Sequence, residues 1–210
     1  MVQVHPFKGV RPATDLADKV AALPYDVVNS QEARDLAADN PYSYFHIDKA
    51  EIDLPTELSP YDEKVYQKAA ANLAEFLEKG WLFKESDDCF YLYELVMNGR
   101  SQTGIVACTS ISDYIDEKIK KHEFTRHEKE IDRMNHIRTC DANTSPIFLS
   151  YRPQSEIQTI IKTWQKDHQP VYDFTSYHEV MHRVWVIDQT ETIDQLTELF
   201  SEVDALYIAD

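Results

Sequence analysis

Glycine is scarce in this chain, with only four in 210 residues. Neither GxGxxG nor GxxxxGK[ST] occurs, so a glycine-rich phosphate loop is excluded. Cysteine is equally sparse. Cys89, Cys108 and Cys140 are an odd number without metal-ligand spacing, which excludes a disulfide framework and a cysteine zinc site. No run of about eighteen apolar residues exists, which leaves no helical membrane span. The first residues, MVQVHPFKGVRP, lack the apolar core of a signal peptide. Together these absences predict a cytoplasmic protein. Basic residues are also few: 21 Lys and Arg stand against 37 Asp and Glu, a formal charge of −16. A surface so acidic repels a phosphate backbone, so direct nucleic-acid binding is not expected. The oligomeric state is left open.

Hydrophobic residues make up 43% of the chain and aromatic ones 11%. Such a composition specifies a globular core rather than disorder. Pro6, Pro12 and Pro24 divide the first residues into loops and short strands. Asn29 with Glu32 forms a capping-box pattern for a helix from about Ser30 to Asp39. Tyr44 to Asp48, YFHID, reads as a buried strand. Pro60 suits a helix start. After it, Val65, Ala69, Leu73, Phe76 and Leu77 recur at helical spacing, and Gly80 stands just past the end.

Asn98-Gly99 is the preferred pair for a two-residue type I′ turn, so residues 89–110 read as a hairpin. An unbulged register sets Tyr93 opposite Gly104. It also sets Cys89 opposite Cys108, with Cα atoms about 5.5 Å apart. The second half predicts a strand at 147–151, a helix at 156–166 and strands at 171–177 and 180–187. Thr190 is expected to cap a helix through Val203, and 205–209 to form a last strand. With no repeat or linker visible, residues 1–210 read as one α+β domain, a mixed or antiparallel sheet flanked by helices.

The chemistry concentrates in Lys121 to Arg138, KHEFTRHEKEIDRMNHIR. Nine of these eighteen residues are charged, and three are histidines. If the stretch is helical from Arg126, then Arg126, Glu130, Arg133 and Ile137 share a row. The planar fork of arginine suits bidentate phosphate binding, so His122, Arg126 and Arg133 are the candidate phosphate ligands, with Arg11 from the N-terminal loops. Glu123 and Asp26 are the candidate base or acid residues, and Glu128 and Asp132 offer further carboxylates for a base or for Mg²⁺. Thr144 and Ser145 can bond a phosphate or cap a turn. HEFTRHE sets its histidines five apart, not the four of HExxH, so no zinc site is expected. The competing reading is a solvated helix face laced with pairs such as Arg126 and Glu130.

FKGVRP at 7–12, LPYDVV at 23–28, NPYSYFHID at 40–48, KKHEFTRHEKEIDR at 120–133 and YIAD at 207–210 resemble, in order and spacing, a widespread bacterial and archaeal family of unknown function, DUF1015. Members are about twice as long and continue past the last piece into Gly-His-His-Arg, so the chain resembles an N-terminal half. Some members are labelled similar to the partitioning protein ParB, whose wider fold group binds nucleotides and includes kinases of free serine. The resemblance implies a phosphate or nucleotide site, a small phosphorylated ligand and, as cofactors, Mg²⁺ with a nucleotide or pyrophosphate. Its alternative implication is a non-enzymatic ParB-like module for protein or DNA contact.

Overall fold

A computed structural model describes residues 1–121 and 125–209. In chain order the elements are β1 (Val4–His5), β2 (Val10–Pro12), α1 (Ala17–Val20), α2 (Ser30–Ala37), α3 (Phe45–Asp48), α4 (Glu63–Glu78), β3 (Leu82–Lys84), β4 (Phe90–Met97), β5 (Arg100–Val106), β6 (Cys108–Thr109), α5 (Ile111–Ile115) and β7 (Ile119–Lys120). There follow α6 (His127–Cys140), β8 (Leu149–Ser150), α7 (Ser155–Asp167), β9 (Tyr172–Thr175), β10 (Met181–Ile187), α8 (Thr190–Ser201) and β11 (Leu206–Ile208). The fold is α+β. The chain divides into two compact units: residues 1–10, 84–124 and 147–210, and residues 11–83 with 125–146.

The first unit is built on an antiparallel sheet in the order β5-β4-β10-β9. Phe90, Leu92, Trp185 and Ile187 alternate along β4 and β10 and are buried with Ile157, Ile161 and Trp164 of α7 and Leu196 and Phe200 of α8. The period of two in the strands and near four in the helices presents one apolar face of each. A small mixed sheet sets β11 between β7, which is parallel to it, and β8, which is antiparallel.

The Asn98-Gly99 turn and the register it imposes are present, with Tyr93 opposite Gly104. The cysteine pairing is not. The β4–β5 ladder stops at Tyr91 and Val106, and the N-terminal segment takes over: His5 pairs with Cys108 and Phe7 with Cys89. A third strand claims the backbone bonds the two cysteines would have exchanged. Gly9 belongs to the same segment. Its N–H donates to the Tyr91 hydroxyl at 2.8 Å, and a Cβ there would lie 2.6 Å from that oxygen.

The β9–β10 hairpin turns through His178 (φ 58°) and Glu179 (φ 59°), two left-handed residues without glycine. Type I′ turns favour Asn-Gly because side chains strain there by roughly 1–2 kcal/mol per residue. The double variant His178→Asn, Glu179→Gly is therefore expected to stabilise the protein by about 1 kcal/mol. A rise in the urea midpoint at unchanged slope would report it, and an unmoved midpoint would contradict it.

The second unit holds α1–α4, α6 and the β2–β3 ribbon. Asn29 and Glu32 form the capping box of α2, with Asn29 Oδ1 accepting from Gln31 and Glu32 N–H. Helix α4 starts at Glu63, later than Pro60 suggests, because Asp62 caps it. Val65, Ala69, Leu73 and Phe76 are buried, Leu77 is exposed, and Gly80 adopts φ 69° just past the end. Thr190 begins α8 without capping it, since Gln189 holds that position.

YFHID is helix, not strand. The Asp48 and Lys49 N–H groups donate to Tyr44 and Phe45 carbonyls at 3.0 and 2.9 Å. A lone apolar run without a neighbouring strand satisfies its backbone locally. Phe45 and Ile47 are both fully buried, and the turn leaves Asp48 at the helix end.

Candidate functional site

Helix α6 is amphipathic with the sense reversed. Asp132 and His136, one turn apart, are buried, while Ile131, Met134 and Ile137 are exposed at 40, 45 and 40%. The inward face meets α3, α4 and the segment after α6. Arg133 Nε and Nη2 donate to Asp132 Oδ2 at 3.1 and 3.0 Å, and Nη1 reaches Asp48 Oδ1 at 3.3 Å. The Tyr25 ring stacks on the guanidinium at 4.1 Å. Those bonds leave part of the donor fork without a protein acceptor among the described residues. Arg133 remains 24% exposed, against 10% for Asp48 and 6% for Asp132.

Both carboxylates are saturated by neutral donors as well. Thr144 and Ser145 hydroxyls donate to Asp48 at 3.1 and 2.9 Å. The Tyr66 hydroxyl donates to Asp132 at 3.0 Å, and burial with that bond raises the Tyr66 pKa to about 12. Tyr44 donates to the Thr144 carbonyl at 3.0 Å, and burial and then Asp48 push its pKa up. His136 Nε2 faces the Ile47 carbonyl at 3.0 Å, an acceptor that assigns the proton to Nε2. Its Nδ1 then faces Thr144 Oγ1 at 3.4 Å and Cys140 Sγ at 3.8 Å. Burial and then Asp48 raise Cys140 to about 11, so it stays a thiol and not a nucleophile.

Of the residues expected at the site, Arg133 stands at its centre. Asp26 is exposed beside Tyr25, and its charge helps raise the Tyr25 pKa, for which burial is the largest cause. Arg126 is exposed at the N-cap of α6, and the row it was to share with Arg133 does not converge. The Arg126–Glu130 pair is not formed among the described residues; Glu130 instead bonds Thr125 and lies 3.9 Å from His127. Arg11 lies in β2 with its guanidinium 4.3 Å over Phe83. His122 and Glu123 fall outside the described residues. Among those described, no three His, Cys, Asp or Glu side chains gather as a metal set.

Asp48 and His136 were missed. Asp48 was hidden by the strand reading of its segment. The available signal was a polar period on α6, Asp132, Arg133, His136 and Cys140, which marks a polar interior as well as an apolar stripe marks a core.

The sequence profile of the family described as protein of unknown function, DUF1015, matches residues 4–210. The chain belongs to this family. No curated protein and no solved structure matches it. The DUF1015 match covers all four elements that build the cluster. No helix of the described residues is long and apolar enough to cross a membrane.

A second polar knot lies on α3 and α4. His46 Nδ1 sits 2.8 Å from Asp53, its Nε2 3.1 Å from the Asn40 carbonyl, and Asn72 donates to the other Asp53 oxygen at 2.8 Å. With acceptors at both nitrogens, the imidazolium is the fitted form. The Asp53 hydrogen bond raises the His46 pKa, partly opposed by burial. For Asp53, burial raises the pKa, but the His46 and Asn72 bonds outweigh it and the net shift is downward. A raised histidine stabilises fully below its ordinary value near 6.5 and loses that contribution as pH rises through the folded value. A depressed carboxylate stabilises above its ordinary value and loses that as pH falls through the folded one. His46→Gln should therefore cost about 1 kcal/mol near pH 6 and less near pH 9. Urea midpoints across that range check it; a deficit constant with pH would refute it.

Proposed function

We propose that the Asp48–Arg133–Asp132 cluster binds the phosphate of a small molecule or nucleotide, and that the protein acts as a phosphate-handling enzyme, in its most specific form a kinase of a small hydroxyl-bearing metabolite such as free serine. The observation that carries this reading is Arg133 itself: stacked on Tyr25, anchored along one edge by Asp132, partly exposed, and with donors to spare. A guanidinium so oriented recognises an oxyanion with little ordering cost. Thr144 and Ser145 add hydroxyl donors beside it. Two carboxylates and one arginine leave the cluster net negative, so a phosphate is best admitted with Mg²⁺, for which Asp48 and Asp132 are the neighbouring acids. Calorimetric titration of the protein with ATP, ADP and pyrophosphate, with and without Mg²⁺, tests this. Micromolar binding that Mg²⁺ strengthens is expected, and an absence of heat with every one of them would end the nucleotide reading.

A different observation favours a second reading, a non-enzymatic interaction module. Ile131, Met134 and Ile137 turn apolar surface outward on α6. The −16 charge sets this surface against protein rather than DNA. A salt-dependent gel shift by the intact protein would instead favour DNA.

A further inference from the structure

The pairings of Arg133 are unequal. Its Nε and Nη2 hold one Asp132 oxygen at 3.1 and 3.0 Å, whereas Nη1 reaches Asp48 at 3.3 Å. Charge-assisted bonds of this kind are ordinarily about 2.7–2.9 Å, so the Asp48 contact is the loosest of the set. Asp48 does not depend on it for hydrogen bonding, since the Thr144 and Ser145 hydroxyls serve both its oxygens at 3.1 and 2.9 Å. The guanidinium is thus fixed at one edge and exchangeable at the other.

We propose that an entering phosphate takes Nη1 of Arg133 away from Asp48, and that Asp48 takes up a proton as the ligand binds. This rests on the phosphate reading above and names the residue that sets its pH dependence. The groups facing Asp48 are Arg133 and Cys140 from α6, Tyr44 from the start of its own helix, and Thr144 and Ser145, with Asp132 and His136 one contact further out. Tyr44 and Cys140 are held neutral by burial and by Asp48 itself. Arg133 is the only fixed positive charge in this set. Once it turns to phosphate, Asp48 keeps neutral donors and gains an anionic neighbour, and both changes favour its protonated form. The carboxylate is therefore a competitor of the ligand for one arginine.

The test uses the full chain and pyrophosphate. Titrations between about pH 5 and 8, in buffers of different ionisation enthalpy, count the protons exchanged on binding. The wild type is expected to take up as much as one proton and to bind more weakly as pH rises. Asp48→Asn is expected to bind pyrophosphate about tenfold tighter with no proton uptake. Wild-type binding without proton exchange overturns the inference, as does equal or weaker binding by a folded Asp48→Asn protein, and either leaves the phosphate reading standing. The wild-type proton count decides alone if the variant does not fold. A wild type that binds no pyrophosphate at any pH removes the phosphate reading and this inference together.

Discussion

Arg133→Ala is expected to lose phosphate binding entirely and to lower stability by about 3 kcal/mol. Both effects follow from one geometry. Asp48 and Asp132 are 10 and 6% exposed and share Arg133 as their cation. Removing one partner of a buried ionic set leaves the others uncompensated, which costs far more than the pair contributes when intact. The Tyr25 ring also loses the cation stacked 4.1 Å beneath it. Arg133→Lys separates the two effects. An ammonium restores a positive charge but cannot span both carboxylates, so stability is expected to recover in part while phosphate affinity stays at least tenfold down. Urea unfolding and calorimetry on the same preparations read the two quantities. Full phosphate affinity in either variant would take Arg133 out of the site.

Phe45→Ala should destabilise the protein by about 3–5 kcal/mol, the range for emptying a fully buried aromatic site. Phe45 has 0% exposure and packs with Ala33, Ala37 and Ile52. Its alanine neighbours have no side chain with which to close the void, which puts the cost at the upper end. Helix α3 is a single turn, too short to persist by its own hydrogen bonds, so its burial is what holds it. Asp48 is the last residue of that turn. Phe45→Leu, which keeps most of the volume, should cost about 1.5 kcal/mol or less. Chemical unfolding distinguishes the pair; equal small losses in both would mean that the turn is held by other contacts.

Parts of this architecture are legible in the residues. The Asn98-Gly99 hairpin, the Asn29–Glu32 capping box and the spacing of α4 each rest on interactions spanning a few positions, and each is present. The fate of Tyr44–Asp48 was not legible, because four apolar-rich residues suit a strand or a helical turn equally, and the choice falls to whichever neighbours exist. The cysteine pairing failed for a similar reason: the hairpin register is local, whereas the arrival of residues 5–7 beside Cys89 and Cys108 is not.

Arg133 could be singled out from sequence because charge density and the arginine fork are properties of the residues themselves. Arg126, equally basic and a week-long favourite of no tertiary contact, was indistinguishable from it by that measure; the fold leaves it exposed at a helix cap. By itself, the sequence determined composition, the α+β class, the local turns and caps, and the segment in which the polar cluster lies. Only the tertiary structure decided which face of α6 turns inward, and so that Asp132 and His136 are buried while Ile131 and Met134 are not. It alone brought Asp48 to Arg133 across 85 positions of chain. Ionic partners are chosen by long-range chain closure, and nothing in the local pattern of either residue encodes the other.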